Sequence, residues 1–193
     1  MNRKKITLFF LSTLISLSLI LAGHPAFGAY GNPITQGKIL GEFKLNVPKS
    51  KSDREYLGLK QEEPFTLSQI PSKLVLIEVF STLCKVCFKT APNVNKLFKF
   101  ILRDPDLASN LKMIGVGVGD TDKKVAVWKT QMRVRFPLFS DPKRVVFKKF
   151  GGPGTPYTVL IDNRSGKVLF THGGALNNVE EFLGELKEFN ERH

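Results

Sequence analysis

Two cysteines are all the chain has, and they stand as Cys84-Lys85-Val86-Cys87 directly after the apolar run Leu74–Phe80. That run is rich in Val, Ile and Leu and has the length of a buried strand. Beyond Cys84, apolar residues at Val86, Phe88, Ala91, Val94, Leu97, Phe98 and Ile101 return mostly every three or four positions, the period of an amphipathic helix. The pattern therefore puts one thiol at a helix N-terminus and the second one turn further in. Unpaired N–H groups and the positive end of the helix dipole stabilise a thiolate at such a place. The first thiol can then attack, and the second is within reach to close an intramolecular disulfide.

Competing readings of this pair are half a zinc site or two inert buried thiols. A structural zinc needs four ligands, usually a second Cys/His pair at short spacing. Here no third cysteine exists, and His24, His172 and His193 are widely separated. A dithiol–disulfide site without metal or other cofactor is the reading the sequence supports.

The N-terminus carries a leader. Arg3, Lys4 and Lys5 precede an apolar stretch over residues 6–22, and Ala26-Phe27-Gly28 offers a small-x-small cleavage site. Residues 1–28 are thus expected to be a signal peptide, with an uncleaved N-terminal anchor as the alternative. Either way the rest is exported, to a periplasmic or other extracytoplasmic space. Cysteines usually become structural bridges there, so a chain that keeps only one CxxC is expected to cycle it. The net charge is +12, with three of the basic residues in the leader. The scattered lysines and arginines carry no nucleic-acid motif. They read as a solvated basic surface, or as steering toward acidic proteins or anionic lipid headgroups.

After a lead-in over residues 29–62, residues 63–193 are expected to form one α/β domain. The lead-in holds one expected strand at 39–47 and a loop at 50–54. A short strand at 65–67 precedes the strong strand Leu74–Phe80. The helix after Cys84 is stopped by Asp104-Pro105, and 111–118 forms a second central strand whose Gly115, Gly117 and Gly119 mark tight packing. A helix follows at 121–133, then a short strand at 136–139 and a helix at 142–150. Residues 157–161 and 167–171 read as a hairpin around Asp162-Asn163-Arg164-Ser165-Gly166, and a last helix spans 177–190. Asn163-Arg164-Ser165 also fits a glycosylation sequon, which the turn explains better.

This order of elements, with CxxC at the first strand-to-helix junction, resembles the thioredoxin fold, and more closely the exported TlpA/ResA-like thiol–disulfide oxidoreductases. The resemblance implies a three-layer sandwich, a mixed central sheet flanked by helices. Gly154-Thr155-Pro156 matches the loop that carries the family's cis-proline beside the disulfide, which implies that Thr155 and Pro156 bind substrate backbone. Pro92 takes the family's helix-kink position. Glu78, six residues before Cys84, falls where relatives place a buried acid beneath the cysteines. Burial favours its neutral form and raises its pKa toward that of a proton acceptor. Two departures stand out: Leu83 replaces the usual Trp before the first cysteine, and Lys85-Val86 replaces a pair with proline second.

The resemblance implies Cys84 as nucleophile, Cys87 as resolving thiol, and client proteins plus a redox partner protein as reactants, with a reductant role in cytochrome c maturation. Two alternatives use the same cysteines. A Cu(I)-binding, chaperone-like module would add His172 to the soft thiolates. A peroxiredoxin-like peroxidase is faintly echoed by Ser81-x-x-Cys84 and Ser140-Asp141-Pro142, although Ile77 stands where its motif wants Pro and no Arg precedes the strand at 157–161.

Overall fold

In the computed structural model, which describes residues 31–193, Leu74–Phe80 forms strand β1, and all seven of its residues are buried. A strand covered on both faces has to be central. It runs parallel to β2 (Leu111–Val118) and antiparallel to β4 (Tyr157–Asp162). Outside these lie β3 (Leu138–Asp141), parallel to β2, and β5 (Val168–Gly173), antiparallel to β4, giving the order β3-β2-β1-β4-β5. The sheet is mixed, as expected. The expected leader and cleavage site lie outside the described residues.

Side chains along β1 alternate between two cores. Leu74, Leu76 and Phe80 join Ala91, Val94, Leu97 and Ile101 of helix α2 (Lys85–Arg103), together with buried residues of helix α6 (Val179–Arg192). Val75, Ile77 and Val79 face the opposite core. That core is completed by Val146 of the short helix α5 (Val145–Lys149), by Phe150, and by Leu40, Phe43, Leu45, Leu57 and Leu59. The lead-in thus supplies apolar residues that cover one sheet face. Period two puts Glu78 on the α2 side, the face of Leu76 and Phe80.

Tight packing explains two of the three glycines that alternate from residue 115. A Cβ at Gly115 would lie 2.4 Å from Leu138 Cδ2, and one at Gly117 would lie 2.8 Å from Val125 Cγ2. Gly119 differs, lying past the end of β2 with φ +70°, where it turns the chain.

Several local expectations are corrected. Residues 50–54 are not a loop. They enter helix α1 (Lys51–Leu57), which Ser50 caps by accepting the Asp53 N–H and which Gly58 ends in the left-handed conformation. The segment 39–47 is extended but makes only single bridges, Ile39 to Lys167 and Leu45 to Phe65. It packs its apolar residues on the sheet without adding a strand. Phe65 makes only that bridge before a 3₁₀ turn at Leu67–Gln69.

Asp104-Pro105 does stop α2, yet it also starts helix α3 (Pro105–Asn110), with Asp104 Oδ1 accepting the Leu107 N–H at 3.1 Å and Pro105 in the first turn. Helix α4 (Asp122–Gln131) is as expected. β3 is displaced two residues from the expected 136–139. α5 is shorter than 142–150 because Arg144, with φ +56°, precedes it. Asn163 is buried, its side-chain amide donating to the Ile70 carbonyl at 2.8 Å, which fits a turn residue and not a glycan acceptor.

Candidate active site

β1 and β2 end side by side, and their carboxyl ends hold the polar groups of the site, as in other open α/β sheets. Cys84 is the N-cap of α2 and is half-buried, whereas Cys87 is 2 % exposed one turn inside. The two are joined as a disulfide with Cα atoms 5.2 Å apart. The Cys87 N–H points at Cys84 Sγ at 3.1 Å. An orphan helix donor therefore already faces the sulfur, and it would stabilise a thiolate when the bridge is open. The first turn of α2 carries no acid to oppose this. α2 continues unbroken through Pro92, which lies on its exposed side, where the carbonyl left without a partner can face water.

The loop before β4 closes over the first sulfur. The Thr155 carbonyl oxygen lies 3.4 Å from Cys84 Sγ, and the Thr155–Pro156 peptide bond is cis. The structure thus brings Cys84, Cys87, Thr155 and Pro156 together.

Glu78 lies below them. It is 6 % exposed and accepts a 2.7 Å hydrogen bond from the hydroxyl of Thr158, its cross-strand partner on β4. Burial in the apolar core pushes its carboxyl up to about 7, the Thr158 bond offsetting only part of that rise. Glu78 and Cys87 line one small cavity of about 20 Å³ with Phe80, Thr90, Ala91 and Trp128. That volume is about the size of one water molecule. A wider groove, about 710 Å³, lies elsewhere, between 46–50, α4 and β3.

One residue of the site escaped the sequence reading. Asp120 is 1 % exposed and accepts from both the Thr82 N–H at 2.7 Å and the Thr82 hydroxyl at 2.5 Å. It pins the turn Ser81-Thr82-Leu83 that delivers Cys84 to its helix. The available signal was an acid immediately past the end of a parallel strand, beside the strand that carries the cysteines. Because a buried charge-assisted pair is lost, Asp120→Ala is expected to cost about 1.5–3 kcal/mol in urea unfolding. An unchanged midpoint would show that the turn holds without it.

His172 stands apart from the dithiol. Its Nε2 is 3.2 Å from the Ala175 carbonyl and its ring packs edge-on against Phe182. Among the described residues, no three His, Cys, Asp or Glu side chains converge on a metal-sized site. The copper-binding alternative therefore lacks its third ligand.

Comparison with known proteins agrees with this geometry. Thiol-disulfide oxidoreductase ResA of Bacillus thuringiensis is 26% identical over 161 residues, covering 82% of this chain and 89% of the relative. ResA of Bacillus cereus is 26% identical over 174 residues, covering 89% and 94%. Among solved structures, the thioredoxin domain of a Bacteroides vulgatus thiol-disulfide oxidoreductase superposes with TM-score 0.60 at 14% identity, covering 81% of this chain and 98% of that one. A thiol:disulfide interchange protein from a Bacteroides species gives TM-score 0.60 at 14% identity, with coverage of 82% and 91%. The thioredoxin-like fold and the ResA-like resemblance expected from the sequence both hold, and fold, dithiol and relatives agree on a thiol–disulfide oxidoreductase. The AhpC/TSA family model matches residues 38–170, more than half of the sequence, and the chain belongs to that family.

Proposed function

We propose that the protein exchanges disulfides with exported client proteins through Cys84 and Cys87, Cys84 attacking and Cys87 resolving. The observation that carries this is the asymmetry of the pair: a half-buried cysteine at the N-cap of α2 and a buried one a turn inside. In the reducing direction the Cys84 thiolate attacks a client disulfide, forming a mixed disulfide and releasing one client thiolate, which takes up a proton. Cys87 then gives its proton to Glu78 and attacks Cys84 Sγ. The second client thiol leaves, and the Cys84–Cys87 bridge carries the two electrons' worth of oxidation. Oxidation of a client runs the same steps backwards. Thr155 and Pro156 border the outer sulfur, where their backbone can meet an extended client strand.

The leader supports export, with residues 1–28 either removed or retained as a membrane anchor. The family resemblance implies a reductant, which we place in cytochrome c maturation. Equilibration of the full chain against glutathione buffers tests direction. Dithiols of this fold span roughly −270 to −120 mV, so a value near the lower end is expected and one near the upper end would make the protein an oxidant.

The family assignment makes peroxidase activity the reading to separate. Cleaving a peroxide needs donors that stabilise the departing oxygen, yet the group facing Cys84 across the loop is the Thr155 carbonyl, an acceptor. Hydrogen peroxide is expected to oxidise reduced Cys84 no faster than an ordinary thiolate, as followed by stopped-flow thiol loss. Oxidation at catalytic rates would reverse the order of the two readings.

A further inference from the structure

Exposed apolar side chains gather where the dithiol opens to solvent. Seven large hydrophobic residues are exposed among the described residues, and four of them, Leu83, Val86, Phe88 and Val127, belong to the cysteine loop, the first turns of α2 and the facing helix α4. Leu83 is 80 % exposed, immediately before Cys84. Phe88 follows Cys84 by one turn, its N–H donating to the Cys84 carbonyl at 3.2 Å. Phe88 and Val127 line a groove of about 270 Å³ with Trp128, Thr82, Lys123, Lys124 and Gln131. The floor is rigid: Phe80 stacks on Trp128 at 5.2 Å, and Phe88 meets the same indole edge-on at 4.5 Å.

The charged side chains that line this groove have one sign. Lys123 and Lys124 line it, and Lys85 and Lys89 flank the dithiol on α2. All four are exposed, and among the described residues none makes an ion pair. No acid lines the groove. Lys123, Lys124 and Lys85 also sit in first helical turns, where the helix dipole disfavours a cation. Local helix stability does not explain them, and breaches of a local rule concentrate where function sets the residue.

We propose that this groove selects the client: a segment with a large apolar side chain and carboxylates close to the cysteine that Cys84 attacks. The apolar residue would enter between Phe88 and Val127, and the carboxylates would meet Lys123 and Lys124. The inference rests on the disulfide-exchange reading above and adds a substrate class to it. The electron balance is unchanged: the protein dithiol passes two electrons and two protons to the client disulfide.

Short peptides closed by one internal disulfide test it, in three versions: acidic with Phe, basic with Phe, and acidic with Ser. The reduced full chain is mixed with each, and acid-quenched chromatography gives the exchange rate. A single surface charge pair contributes little, so the preference has to come from several acting together. Two or more such pairs predict that the acidic Phe peptide reacts about tenfold faster than the basic one. Salt should erode that ratio, since screening becomes effective beyond about 8 Å at physiological ionic strength.

The double variant Lys123→Glu, Lys124→Glu should invert the acidic-to-basic ratio. It is expected to fold, because acids suit the first turn of α4. Val127→Ser should bring the Phe and Ser peptides to within about twofold of each other. Equal rates for all three peptides, or a ratio that the double variant leaves standing, would overturn the groove. The same holds if the double variant loses binding to anionic phosphatidylglycerol vesicles while peptide preference stays put, since the lysines would then serve a lipid surface. Wild-type exchange with oxidised glutathione separates the two levels: if that too is absent, the exchange reading itself has failed.

Discussion

Cys87→Ser is expected to arrest the protein on its client as a stable mixed disulfide through Cys84, and Cys84→Ser to drop exchange to the uncatalysed background. The argument is positional. Cys84 caps α2 and is half-buried, so a client sulfur can approach it in line, while Cys87 is buried among Phe80, Ala91 and Trp128. The helix N-terminus and the Cys87 N–H at 3.1 Å should hold the Cys84 thiol below the roughly 8.5 of a free cysteine. The thiolate absorbance of the reduced chain, titrated against pH, reads that value. Non-reducing mass spectrometry of each variant after mixing with an oxidised client reads the trap. An adduct formed only by Cys84→Ser would reverse the two roles.

The sequence carried the dithiol, its strand and its helix because each rests on a strong local signal. Leu74–Phe80 is apolar at every position but Glu78, the helical period behind Cys84 is long, and the final hairpin is punctuated by Asp162 to Gly166. Glu78 was legible through the family resemblance, which puts a buried acid six residues before the first cysteine, and the apolar strand around it gave the direction of its pKa shift. Misread segments are those whose structure depends on caps or on distant partners. α1 has a single buried apolar residue, Leu57, and forms between Ser50 and Gly58 without an apolar stripe. α3 begins at a proline that the sequence reading used only as a stop, although proline suits a first helical turn. The 39–47 segment alternates as a strand does, yet whether an extended segment pairs along an edge or lies across a face is decided by tertiary packing. Asp120 was missed for a related reason: its partner Thr82 is 38 residues away and no spacing rule links them, so only its place past the end of β2 marked it.

Glu78→Gln is expected to change two measurements in opposite senses. In the folded chain the carboxyl is pushed up to about 7 from an ordinary 4.5, by burial. Between those values the folded protein keeps a proton that the unfolded chain has released, so stability falls as pH rises through that window. The full cost at neutral and higher pH is about 3 kcal/mol, from roughly 1.4 kcal/mol per pKa unit. Glutamine keeps the shape and can still accept from the Thr158 hydroxyl, but it does not titrate. The variant should lose the pH slope and become the more stable protein above about pH 7, with part of the gain offset by an amide that the cavity cannot fully pair. Urea unfolding of the oxidised protein across that range measures the slope, and an unaltered slope would show that Glu78 does not titrate there. Turnover should move the other way. Glu78 and Cys87 share a cavity of about 20 Å³, and without the carboxylate Cys87 has no buried base to receive its proton. General-base removal commonly costs about 10²–10⁴-fold, and a loss at the lower end is expected. A variant that gains stability and keeps its turnover would make Glu78 a buried charge with no part in proton transfer. Loss of both would make it a packing residue.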